Sequence, residues 1–483
     1  MAARVLRDGA LLVLIVLCGW GPSGCRINPV TREKELIAVS SEQELSMGDR
    51  YHPNLVCMYD GEYRETELKQ YLGTIVKRLH AVSHRQDMRV DFTVLNTSIY
   101  NAFAIPGHVY CTRGFLDELE TEAQFAAVMG HELGHVAALH TAKQMTNQML
   151  TSLGLALAGS AMGDSESAQG LLTVGQMGVA LLGLSYSREQ ERQADRLGTY
   201  YMAKAGWDPR QAIVMQKIMD SLNQNKPGLL DRYLSTHPQS ENRMSEIRAV
   251  IRDKSLLDRG LIQGDGVYAG RWERYLAHLK KVDDAFEPYD RGTKLLADGK
   301  HREALDAAEE AIERRSDQAQ FFRLKGDALL GLRQHDAAEQ AYRKSLELYP
   351  RYVLANMGLG RVALHGENYP EAERQFETVV HGFPAGLNGH YGLGVARFQQ
   401  GKYREAIEPL KTVTSSAPRE PEPHYLLAVC YEKTGQEQKA LLEYRRAVEA
   451  GLSGEGRGKA RERIDVLEKS LQPTNDSAAE QAG

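Results

Sequence analysis

Two histidines four positions apart, His131 and His135, stand with Glu132 in the stretch HELGHVAALH. On a helix, residues i and i+4 share one face, so the two imidazoles can grip a single divalent ion while the carboxylate projects beside them. The chemistry open to such a group is metal-assisted hydrolysis, in which the ion acidifies water and a nearby carboxylate handles the proton. From Glu122 to His140, alanine, leucine, valine and methionine recur at helical spacing with no proline. A helix this apolar is expected to be buried, and polar groups buried on it need a partner.

Two imidazoles do not complete a site, and a catalytic one takes three protein ligands and leaves a position for water. The HExxHxxGxxH pattern would place glycine and histidine where this chain has Ala138 and Thr141. His140 is therefore expected on the helix surface or behind a ligand, not on the metal. Further on, SREQERQADRLG places Glu191 and Asp195 four apart on a second helical stretch. One carboxylate can bind the metal while the other steadies a ligating histidine from behind. By spacing alone Glu191 fits a solvated charged face equally well, since Arg188, Glu189, Arg192 and Arg196 surround it.

HExxH followed by SR…ExxxAD resembles the gluzincin zinc peptidases, the family of the HtpX heat-shock protease and the CAAX prenyl protease. The segments NPVTREKELIAVSSEQE and NAFAIPGHVYCTRGFL extend the likeness from about Asn28 to Arg243. The resemblance implies one zinc ion per chain on His131, His135 and Glu191, Glu132 as general base, and Asp195 as the carboxylate behind a ligand. It also implies that His237 and Arg243, in STHPQSENR, lie in the cleft. Two roles stay open for His237. With Arg243 it can donate hydrogen bonds to the tetrahedral oxyanion; as a neutral imidazole it can instead hold a fourth zinc position, and we expect this latent resting state. Asn101 to Tyr110 reads as an edge strand to which an extended polypeptide adds by backbone hydrogen bonds. His108 departs from the relatives, which usually carry a second glycine after Pro-Gly, and this leaves the shape of that edge open.

The second half repeats. Ala304, Ala338, Ala372, Ala406 and Ala440 are spaced by 34, and Gly326, Gly360 and Gly394, like Pro350, Pro384 and Pro418, keep the same step. Aromatics follow the alanine by four at Tyr342, Phe376 and Tyr444. This period and pattern resemble the tetratricopeptide repeat, a helical hairpin that buries its apolar face only by stacking on its neighbours. Grooves formed by such stacks take peptides or partner proteins.

Arg4 and Arg7, an apolar run from Leu11 to Leu17 and small residues from Gly19 to Gly24 read as a secretory signal. The sequence GPSGC resembles a lipoprotein cleavage site, which would make Cys25 a lipidated N-terminus and membrane anchor. An oxidising compartment would permit a bridge between Cys57 and Cys111. The glycine-rich run from Leu150 to Leu184 reads equally as core helices or as a mobile lid over the cleft.

These signals predict a mainly α chain: an α+β gluzincin domain with a small sheet, then a repeat solenoid. The expected divisions are a signal at 1–24, the peptidase domain at 25–270, a linker at 271–285, about five repeats at 286–452, and a terminal helix and disordered tail at 453–483. A formal net charge of −5 over 483 residues gives no basic surface for nucleic acid, and no such partner is expected. With a signal in front and repeats behind, the arrangement resembles the periplasmic branch of the family that assists β-barrel assembly. It implies an endopeptidase for misfolded or misassembled outer-membrane proteins, docked through its repeats on the outer-membrane assembly machinery. A chaperone or assembly factor whose repeats act without proteolysis is the alternative, and Glu132 weighs against it, because a structural metal site needs no general base.

Overall fold

The computed structural model describes residues 25–161, 185–226, 228, 230–238, 243–253, 262 and 264–471. Residues 1–24, 162–184 and 472–483 lie outside them, so the signal, the greater part of the glycine-rich run and the disordered tail expected there concern residues that are not described. The chain divides into two compact units between Glu287 and Pro288. It is mainly helical, with two small sheets in the first unit and helical repeats in the second. No described helix is long and apolar enough to cross a membrane.

The first unit opens with a two-stranded antiparallel hairpin, β1 (Cys25–Ile27) and β2 (Lys34–Leu36), in which Cys25 faces Leu36. Asn28 makes the turn: its Oδ1 accepts from the amides of Val30 (2.8 Å) and Thr31 (3.2 Å). A second sheet has the order β3 (Asp91–Leu95), β5 (His108–Thr112), β4 (Ala102–Ile105), with β3 parallel and β4 antiparallel to the central β5. β4 is thus an edge strand.

Successive side chains of β5 point to opposite faces. Tyr110 packs with Tyr51, Leu55 and Tyr59 from the helix Ser41–Met58 and its cap, while Cys111 turns to the other face, close enough to Glu132 for the two to interact electrostatically. This overturns the expected bridge: Cys57 and Cys111 are both free, buried thiols, because Cys57 belongs to the helix on the Tyr110 side.

The motif sits on the helix Glu122–Ala137, every residue of which is buried. Its start is fixed twice. Thr121 caps it by accepting from the Gln124 amide, and Glu122 accepts from Tyr71 Oη (2.7 Å), Trp207 Nε1 (2.8 Å) and the Arg271 guanidinium. Its end is marked by Leu139, which takes a positive φ of 60° and turns the chain into the next helix, His140–Ala161.

In the second unit, paired helices run from His301–Arg314 to Glu437–Glu449, followed by Gly454–Ser470. All five period-34 alanines are fully buried. The glycines serve the aromatics: a Cβ on Gly326 or Gly358 would strike the Tyr342 ring, and one on Gly360 or Gly392 the Phe376 ring. Each ring therefore lies against bare backbone of the helices flanking it, which is how the hairpins stack closely.

Candidate active site

A second helix, Arg188–Ala205, crosses the motif helix at its histidines. Ser187 starts it with a capping box closed by Gln190. The crossing is lined by Gly130 and Gly134 on one helix and by Ala194 and Gly198 on the other. A Cβ added to Gly134 would stand 2.9 Å from the Ala194 carbonyl, and one on Gly198 would stand 2.6 Å from the His131 amide nitrogen. Only bare backbone permits this approach, and the approach brings Glu191 to the histidines.

Glu191 Oε1 lies 3.2 Å from His135 Nε2, and Glu191 Oε2 lies 3.5 Å from His131 Nε2. The two histidine Nε2 atoms are 3.0 Å apart. The helix Asp231–Thr236 leads into His237, whose Nδ1 stands 3.0 Å from Glu191 Oε1 and 3.4 Å from His131 Nε2. All four residues are buried, and one ligand atom from each falls within 4.8 Å of all the others. Ligands 2.0–2.1 Å from a tetrahedral ion are separated by about 3.3 Å, so the set fits a small divalent metal. Glu191 Oε2 also lies 3.1 Å from Arg243 Nη1 yet makes no hydrogen bond, leaving a buried carboxylate lone pair for a cation.

Outer hydrogen bonds fix which ring nitrogen faces inward. His131 Nδ1–H donates to Asp195 Oδ1 (2.9 Å), which frees Nε2 for a metal. His140 is buried behind the site, not on the helix surface. Its Nε2–H donates to Gln193 Oε1 (2.9 Å), so its Nδ1 accepts from His135 Nδ1–H (2.9 Å) and frees the Nε2 of His135 in turn. Arg243 grips Asp195 through Nε (2.7 Å) and Nη2 (2.8 Å). Tyr186 stacks on His135 with ring centres 3.8 Å apart, and Tyr233 stacks on His237 at 4.6 Å. Glu132 Oε1 is buried without a hydrogen-bond partner, 3.7 Å from His237 Nε2.

These surroundings set the charges. Burial alone would lower His131, but Glu191 and Asp195 outweigh it and raise its pKa to about 10. Burial holds His135 well below the usual histidine range and His140 at about 4. Burial also pushes Glu132 up, partly opposed by His237 and His131. For Glu191 and Asp195 burial pushes up too, yet their neighbours outweigh it and both stay lowered: His237 and His131 around Glu191, Arg243 and His131 around Asp195.

The residues singled out from the sequence, His131, Glu132, His135, Glu191, Asp195, His237 and Arg243, thus meet at one place. Cys25 lies apart, exposed at the start of β1. His108 stacks on His52 (4.4 Å) and meets Asp49 through Nε2 (2.9 Å), at the first residue of β5. Reasoning from the sequence did not find Gln193, Tyr186 or Tyr233. The i, i+4 pairs Gly130/Gly134 and Ala194/Gly198 were the readable sign of the close crossing that Gln193 flanks. Tyr186 and Tyr233 carry no comparable signal.

The profile of peptidase family M48 matches residues 66–251. The chain carries a peptidase family M48 domain. Behind the M48 domain, the tetratricopeptide-repeat profile matches residues 289–353, 324–386 and 391–454. M48 is a metallopeptidase family, so the M48 domain takes a metal cofactor, and the four-residue cluster is where this chain can hold it. Over 193 residues the chain is 32% identical to a mitochondrial metalloendopeptidase of Arabidopsis thaliana, aligning 40% of this chain with 37% of that protein. A mitochondrial metalloendopeptidase of Schizosaccharomyces pombe is 29% identical over 224 residues, 45% of this chain and 64% of the relative. The β-barrel assembly-enhancing protease of Escherichia coli K12 is 30% identical over 223 residues, 44% of each chain. The chain thus spans less than two thirds of the length of the curated relatives it matches. Among solved structures, MamA from Desulfovibrio magneticus RS-1 overlaps 36% of this chain and 98% of its own, with 24% identity and a TM-score of 0.32.

Proposed function

We propose that the protein is a zinc-dependent endopeptidase of the bacterial periplasm that degrades misfolded or misassembled outer-membrane proteins and assists their assembly. The observation that carries this reading is a buried cluster of four ligand atoms with the unpartnered carboxylate oxygen of Glu132 beside it. When bound, zinc supplies an acidified water and polarises the scissile carbonyl. The unpartnered Oε1 of Glu132 would accept a proton from the attacking water and deliver it to the leaving amine. Its pKa, raised by burial, moves it toward the neutral range in which a proton shuttle works best. Asp195 and His140 hold the tautomers of His131 and His135, and Arg243 holds Asp195.

The edge strand β4 positions the substrate. Thr112 N–H donates to Asn101 O (2.9 Å), so by antiparallel alternation the backbone groups of Phe103 and Ile105 also face β5 while those of Ala102 and Ala104 face outward. An extended polypeptide can add there by main-chain hydrogen bonds, which suits clients of unrelated sequence.

The closeness of His237 Nδ1 to Glu191 and His131 supports a resting fourth ligand over an oxyanion donor. In that state the protease is latent until a client or partner moves the loop. The repeats recruit partners, the outer-membrane assembly machinery among them, and acylated Cys25 anchors the chain to the membrane. Metal analysis beside a casein cleavage assay tests the catalytic reading: a purified chain without zinc, or one that cleaves no unfolded substrate in any state, ends it. Incorporation of labelled palmitate, lost on Cys25→Ala, tests the anchor.

A further inference from the structure

Ile27 is 59% and Leu36 50% exposed, the two most exposed large apolar side chains among the described residues. Both belong to the N-terminal hairpin. Its register pairs Cys25 with Leu36 and Ile27 with Lys34, and residues two apart on a strand share a face, so Cys25, Ile27, Lys34 and Leu36 point the same way. All four are exposed, whereas Arg26 and Glu35, on the other face, are partly covered. One face of this ribbon therefore carries two bare aliphatic side chains, an ammonium group and the cysteine read above as the lipid acceptor.

We propose that this face is a membrane-docking surface that lies on the bilayer and fixes the orientation of the peptidase domain. The inference rests on Cys25 being the anchor. Cys25 is itself a residue of β1, so no spacer separates acyl chains attached there from the folded domain, and they can enter the bilayer only where the hairpin meets it. Ile27 and Leu36 then reach the acyl boundary, and Lys34 meets anionic headgroups. Two aliphatic side chains are too few to hold a protein on a membrane alone, so the face orients a chain that is already tethered.

The hairpin is in turn bolted to the end of the motif helix and to the helix that follows it. Asn28 Nδ2–H donates to the carbonyl of Ala138 at the end of the motif helix (3.1 Å), Lys143 Nζ pairs with Glu35 (2.7 Å), and the Ala38 amide donates to Thr146 Oγ1 (3.0 Å). Buried Glu44 pairs with both Arg26 (2.9 Å) and Arg85 (3.0 Å). A bilayer against the outer face thus sets the direction in which the metal site opens.

The test uses the chain from residue 25 onward, coupled through Cys25 to a maleimide lipid in phosphatidylethanolamine–phosphatidylglycerol vesicles. Cys25 is the exposed thiol, while Cys57, Cys111 and Cys430 are buried, so docking is read whether or not the cell acylates the protein. Ile27→Trp and Leu36→Trp should each show a blue shift and quenching by brominated lipid, above the constant signal of buried Trp207 and Trp272. Val214→Trp, on the helix Gln211–Asn225, should show neither. No quenching at 27 and 36 in the tethered protein overturns the docking surface. So does a concentration-dependent blue shift in vesicle-free protein, which would mean that a second copy covers the face. Palmitate labelling of the full chain reads the anchor separately, so its failure is distinguishable from failure of the docking.

Discussion

Glu132 and Gln differ by one atom type, and a buried amide in its place keeps the volume but cannot accept a proton. Glu132→Gln should therefore retain one zinc per chain while casein cleavage falls by roughly 10²- to 10⁴-fold; unchanged cleavage would remove Glu132 from the mechanism. His237→Ala should raise basal proteolysis, self-cleavage included, because water can then take the place of its Nδ1. A His237→Ala enzyme with normal zinc and much weaker activity would instead make His237 an oxyanion donor. Arg243→Ala acts differently. Its guanidinium lies against both Asp195 and Glu191, and breaking a buried pair from one side typically costs about 3–5 kcal/mol. Lower thermal stability and lower activity should appear together in that variant, read by calorimetry and the same assay.

At the scale of elements, the crossing of the two ligand helices is the feature most open to test. Gly198→Ala places a methyl group against the His131 backbone. Separating the helices to admit it should cost about 1–3 kcal/mol and reduce zinc content, since Glu191 recedes from both histidines. Normal metal occupancy in that variant would show that the crossing has slack. The motif helix was legible from its apolar spacing, and the repeats from a period kept by alanines, glycines and prolines. Glu191 was not legible from spacing, because the arginines and glutamates beside it describe the outer face of the helix while Glu191 and Asp195 occupy the inner one. His140 could be placed off the metal by counting residues, but its burial, and with it the relay to Gln193, follows from the turn at Leu139. The bridge expected between Cys57 and Cys111 failed on strand alternation, which a list of cysteines does not contain.

For the whole molecule, the two units invite separation. The division falls within the helix Ala269–Ala297, whose first turns belong to the peptidase unit through Arg271 on Glu122 and Trp272 Nε1 on the Leu119 carbonyl (2.8 Å). A chain ended after Ala297 should keep peptide cleavage near the parent rate but lose co-purification with outer-membrane assembly proteins. Retained co-purification would take the docking role away from the repeats. The four residues that could hold a metal come from three stretches, with His131 and His237 106 positions apart. No fragment that ends before Glu191 holds even three of the four, and a growing chain has the HExxH helix long before it has the rest. Metal affinity is therefore gained late, as a product of completed folding. Whatever the centre cleaves, a copy that has not yet reached Glu191 cannot cleave it, and the order in which the chain appears withholds the activity from its earliest lengths.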